Sequence, residues 1–150
     1  MKIKALVCLS LLFFLAGVAV AQDSGTGLGV ILGEPSGISL KSWVGGKTAL
    51  DFAVAWSFVD KSSVYFHVDY LFHDFDFFQV KRGTLALYYG IGGRIKGQRK
   101  SRAGIRVPIG ICYIFEKAPF DIFLEIGPLL DLTPATEFEM TAYIGARYYF

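Results

Sequence analysis

The sequence predicts an all-β protein: an eight-stranded, antiparallel, up-and-down transmembrane β-barrel that follows an N-terminal signal peptide. Three observations predict it. Hydrophobic residues make up 53% of the 150 residues and charged residues only 19%, which excludes a disordered polymer. Past Gln22 the dominant apolar period is two, not 3.6. No uncharged stretch there approaches the roughly 20 residues that a spanning helix needs. GTLALYYGIGG, from Gly83 to Gly93, is about half that length and rich in Gly and Tyr.

Residues 1–21 read as a cleaved secretory signal. Lys2 and Lys4 precede an uncharged run from Ala5 to Val20, which ends in the small-residue pattern Ala19-Val20-Ala21. The run is short for a membrane anchor, and Cys8 lies inside it and not just after a cleavage point. Residues 22–150 then form one domain. Removing Lys2 and Lys4 leaves thirteen Lys plus Arg against thirteen Asp plus Glu, a balance that gives nucleic acid no electrostatic reason to bind. Cys112 is the one cysteine left, so an intramolecular disulfide is excluded, and it reads as a small, inert filler.

The strands follow in order. Alternation is complete from Leu50 to Phe58, where Leu50, Phe52, Val54, Trp56 and Phe58 enclose Asp51, Ala53, Ala55 and Ser57. It is equally clean from Val64 to Phe72 and from Ile105 to Phe115. Weaker copies run over Leu28–Leu32, Ile38–Val44, Leu85–Arg94, Phe120–Asp131 and Met140–Phe150, for eight strands in all. The breaks carry turn chemistry: GEPSG at Gly33, GGK at Gly45, DKSS at Asp60, EKAP at Glu116 and TPAT at Thr133. Short links force antiparallel neighbours, and a meander that curls into a barrel is the economical arrangement.

Two barrels fit, a membrane barrel with its apolar face outward and a soluble, periplasmic, lipocalin-like lipid carrier with that face inward. Residue size separates them, because the inner face of a narrow barrel has little room. The less apolar face here is small, with Ala53, Ala55, Ser57, Gly90, Gly92, Gly110, Gly127 and Gly145, and Lys41 is its one strand lysine. The apolar face is therefore predicted to point to lipid. Trp56 and Phe58, Tyr70 and Phe72, and Tyr113 and Phe115 close three strands, as expected of aromatic girdles at the two interfaces.

The last strand, YIGARYYF, alternates to a final aromatic and resembles the C-terminal signal of bacterial outer-membrane barrels. That resemblance implies Tyr148 and Phe150 as an assembly signal and the barrel-assembly machinery as a partner. GLGVILGEPSGISLK at Gly27, ALDFAVAWSF at Ala49, HVDYLFHDFD at His67, GIRVPIGICYIF at Gly104 and PFDIFLEIGPLLDLTPAT at Pro119 carry a second likeness. Through them the mature chain resembles a family of small OmpA-like outer-membrane β-barrels from spirochaetes and other bacteria that lack an assigned activity. The resemblance implies an outer-membrane location and brings no catalytic residues.

With both chain ends in the periplasm, the inward charges sort into layers. Lys41, Asp51, Asp69, Asp121 and Arg147 fall near the periplasmic mouth, His67 and Glu125 midway, and Arg94, Arg106 and Asp131 toward the outer mouth. Buried charges are tolerated when paired, so the expectation is a salt-bridged, non-conducting plug in which Arg94 and Arg106 meet Asp131. A metal site on His67, Asp69 and His73 lacks a fourth ligand, and His73 is expected beyond the strand end. No cofactor motif is present, and a lipid-modifying enzyme would need a nucleophile at the lipid boundary, where Ser57, Ser62 and Ser63 read as strand-end and turn residues.

RIKGQRKSRAGIR, from Arg94 to Arg106, has six positive charges and no negative one. Its centre, with Lys96, Arg99, Lys100 and Arg102, is the candidate contact for lipopolysaccharide or a host polyanion. The expected protein is a monomeric structural or surface-interaction barrel in outer-membrane lipid, and not an enzyme.

Overall fold

Period-two alternation becomes strand in each of the eight predicted segments, with differences at the ends and a break at Val107 and Pro108, because alternate side chains of a strand leave on opposite faces and each face here has its own chemistry. The computed structural model describes residues 25–59 and 63–150, so the predicted signal peptide lies outside the described residues. The strands are β1 (Thr26–Glu34), β2 (Ser36–Trp43), β3 (Thr48–Trp56), β4 (Val64–Asp74), β5 (Thr84–Gly97), β6 (Arg102–Arg106), β7 (Ile109–Ile114), β8 (Phe120–Thr133) and β9 (Glu137–Tyr149). There is no helix among the described residues.

All pairing is antiparallel and follows chain order, and β1 pairs with both β2 and β9. The count of nine corrects the predicted eight, and the cause is local. β6 and β7 occupy one path: Gly92 faces Arg106 and Tyr89 faces Ile109, a step of three on each strand, so β5 keeps a single register past both. β8 does the same, with Leu129 opposite Arg106 and Ile126 opposite Ile109. Pro108 has no amide hydrogen to give the ladder and interrupts it. Its carbonyl still accepts from the Gly90 amide at 3.0 Å, which holds the broken strand in line.

The chemistry of the two faces is inverted relative to a soluble barrel. Outside, Val30, Val54, Ile91, Leu124, Ile126 and Ile144 are each about half exposed or more. Inside, Lys41, Asp69, Asp121 and Asp131 are 0% exposed and Arg106 and Arg147 are 1% exposed. Aromatic rings ring the lower end, where Thr26 and Phe150 lie. Phe72 stacks on Tyr89 at 5.9 Å, and Tyr113 with Phe115 (4.9 Å) and Phe120 with Tyr148 (5.2 Å) meet edge to face. At the upper end Trp56, Phe58, Phe66 and Phe138 are exposed.

Candidate functional site: a charged lumen

Inward parity on seven strand paths brings the predicted charges onto one axis, and guanidinium groups organise them because each offers five donors in a fixed fork. Arg147, from β9, is the lower hub. Its Nε donates to Ser39 Oγ at 2.9 Å and its Nη2 to Asp51 Oδ1 at 3.0 Å, while Nη1 stands 3.5 Å from Asp121 Oδ2. Its plane lies 3.8 Å over the Phe123 ring, and Tyr149 Oη donates to the same Asp121 oxygen at 2.7 Å.

Arg106 is the central hub. Its Nη2 donates to Glu125, its Nε sits 3.1 Å from Asp69 Oδ2, and its Nη1 lies 2.9 Å from His67 Nδ1. Arginine cannot accept, so His67 Nδ1 is the acceptor and the ring proton sits on Nε2. That nitrogen faces Asp69 at 3.6 Å and Asp51 at 4.0 Å, which joins the two hubs. Tyr88 Oη completes Glu125 from the other side at 2.8 Å.

Arg94 is the upper hub, with Nη2 3.0 Å from both oxygens of Asp131 and Nη1 2.9 Å from Glu139 Oε2. Arg102 adds Glu137 and Glu139 at the rim.

Space between these groups is closed by residue size. A Cβ on Gly110 would come 2.5 Å from the Tyr88 ring and hydroxyl, and one on Gly127 would come 3.2 Å from Arg106 Nη2. Cys112 is fully buried at an inward position. Withdrawing each ion from water costs several kcal/mol, and only dense pairing of this kind offsets it.

No family model matches the chain, and no curated protein matches it in sequence. In three dimensions it is similar to the N-terminal β-barrel domain of Pseudomonas aeruginosa OprF, with a TM-score of 0.63 over 85% of this chain and 98% of that one, at 12% identity. The fold is OmpA-like.

Several expectations for this OmpA-like barrel are corrected by its geometry. Arg106 does not join Arg94 at Asp131: its strand position is high, but its side chain reaches Asp69 and Glu125. His73 lies within β4, not beyond it, because β4 runs on to Asp74. It is buried, and Lys41 Nζ donates to its Nε2 at 2.7 Å under the Trp43 ring (4.3 Å), so Lys41 is held by an imidazole and aromatic faces and not by a carboxylate. His73 therefore does not share a site with His67 and Asp69. The cluster that does form, Asp51, His67 and Asp69, has its ligand atoms within 4.8 Å of one another. Arg147 and Arg106 already match both carboxylates and occupy His67 Nδ1, so this donor set suits ion pairing and not a cation.

The basic segment is also corrected. Lys96 is 7% exposed in β5, beside the Tyr65 ring, and Arg102 is bound to the β9 acids, so Arg99 and Lys100 alone stand exposed in the turn. Glu139 meets Arg94 and Arg102, the acid-to-base neutralisation across the rim that the sequence allows for Asp131, Glu137 and Glu139, whereas Ser39, Tyr88 and Tyr149 are lumen partners that the sequence reading does not name. Their parity was visible, since each shares a strand face with a predicted residue or its paired neighbour.

Proposed function

We propose that this chain is a small outer-membrane β-barrel protein whose lumen is a salt-bridged plug, acting in a structural or surface-interaction role and not as an enzyme or an open pore. The sidedness carries the reading: an apolar outer wall around a buried, paired, charged interior suits lipid outside and no solvent inside. A soluble lipid carrier would need the reverse arrangement, an apolar cavity behind a polar wall. The aromatic bands at both ends fit the two membrane interfaces, and the likeness to the OprF barrel domain supports the fold on which the reading rests. The strand pattern that ends at Tyr148 and Phe150 supports delivery by the barrel-assembly machinery. Polyanion contact at the upper rim narrows to Arg99 and Lys100.

Membrane fractionation with gel migration before and after boiling tests the reading. The protein is expected in the outer-membrane fraction, migrating compactly unboiled and showing no steady conductance in planar bilayers. Recovery in the soluble periplasmic fraction would overturn the location, and a large stable conductance would overturn the plug.

A further inference from the structure

Three connections meet at the lower mouth, and their backbones are pinned. The β4–β5 loop starts where Asp74 Oδ1 accepts from the amides of Asp76 (2.9 Å) and Phe77 (3.1 Å). It ends at Gly83, whose φ of +66° suits glycine, with Tyr113 Oη donating to the Arg82 carbonyl at 3.0 Å. The β2–β3 turn is held by the His73 amide, which donates to the Lys47 carbonyl at 2.8 Å. The β7–β8 turn supplies Glu116.

These anchors set Lys47, Lys81 and Arg82 around a cleft of about 610 Å³ lined also by Phe75, Ile114 and Glu116. All three cations are exposed, and they face one carboxylate. None of them is engaged in an ion pair among the described residues. Phe115 belongs to this cleft and also to an apolar groove of about 300 Å³ on the outer wall, lined by Phe120, Ile122 and Ala146. The groove exists because Ala146 is small where its outward neighbours on β9, Ile144 and Tyr148, are large.

We propose that the lower mouth binds the phosphate of an anionic phospholipid, with an acyl chain laid in the groove beside Phe115. The proposal rests on the lipid-facing reading of the outer wall. Unpaired cations at a membrane surface attract anionic headgroups, and a zwitterionic headgroup would bring its own cation among three others. A free phosphate would use the cleft and leave the groove empty.

Trp43, 6.0 Å from Phe75, reports on the cleft once the other tryptophan is removed as Trp56→Phe. The full chain in phosphate-free maltoside micelles is titrated with phosphatidylglycerol, phosphatidylcholine and inorganic phosphate. Phosphatidylglycerol should change Trp43 emission saturably, at least about tenfold tighter than phosphatidylcholine, and the Lys47→Ser/Lys81→Ser/Arg82→Ser variant should lose about a hundredfold. Ala146→Leu, which fills the groove, should weaken phosphatidylglycerol several-fold.

Equal affinity for the two lipids, or unchanged binding in the triple variant, overturns the site. Inorganic phosphate binding as tightly as phosphatidylglycerol, or an indifferent Ala146→Leu, overturns the lipid occupant. Compact unboiled migration of the same samples distinguishes failure of this site from failure of the barrel reading.

Discussion

Arg106 stands at the centre of the lumen, and replacing it by Met removes one charge at nearly constant length. In the parent the guanidinium binds Glu125, lies 3.1 Å from Asp69 and donates to His67 at 2.9 Å. Two unit charges about 4 Å apart attract by about 4 kcal/mol at an effective dielectric near 20, and withdrawing each ion from water costs several kcal/mol. Without Arg106 that cost stays with Asp69 and Glu125, both at most 2% exposed, and the attraction is gone. The expected loss is about 3–5 kcal/mol, the range for breaking a buried pair from one side.

Urea unfolding of the protein in vesicles, followed by tryptophan emission, measures the effect. The companion variant Arg106→Met/Asp69→Asn/Glu125→Gln leaves no uncompensated charge and should recover at least half of the loss. A single variant within about 1 kcal/mol of the parent, or a triple variant no better than the single one, would refute the claim that these ions are desolvated and paired.

Other expectations come from the same geometry. Val54, 48% exposed on the outer wall, should tolerate Thr but lose about 2–4 kcal/mol as Arg if it faces the bilayer midplane, measured by refolding into vesicles. Gly110→Ala should lower stability by about 1–3 kcal/mol because its methyl meets both the Leu124 carbonyl and the Tyr88 ring, and a neutral result would mean that strand and lumen have slack at that level. Deleting Phe150, which is only half-buried and gives one backbone hydrogen bond to Thr26, should leave refolding in detergent nearly intact while blocking insertion in cells. Normal insertion would remove the assembly role of the last strand.

Strand positions and the inside-outside parity were legible in the residues, because period-two alternation with small inward residues has one reading in a narrow barrel. Val54 and Ala55 show it: 48% and 2% exposed, as their sizes predict. The break at Pro108 was visible as a residue type, but its effect on the ladder depends on both neighbouring registers, which no single strand contains.

Partner assignments in the lumen were legible only by height, and height failed for long side chains. Arg106 enters high and ends beside Glu125, because a guanidinium reaches several ångströms from its Cα along the barrel axis. His73 falls past the end of the alternating run, which stops at Phe72 because Phe75 and Phe77 break the pattern of the faces, so periodicity alone does not bring its imidazole to Lys41. Lys96 and Arg102 sit in a run of bases whose neighbours in space, Tyr65 and the β9 acids, are distant in sequence.

The central claim is that alternate residues of each strand face lipid and a sealed, charged interior. Nitroxide spin labels placed singly along β8 from Asp121 to Asp131, in a Cys112→Ser background in lipid vesicles, test it directly through their collision rates with oxygen. High oxygen exposure is predicted at Ile122, Leu124, Ile126 and Leu130, with low exposure to both oxygen and a water-soluble quencher at Phe123, Glu125 and Leu129, since these odd positions are 2–4% exposed. A flat profile, the opposite phase, or ready access of the water-soluble quencher to the odd positions would contradict the account.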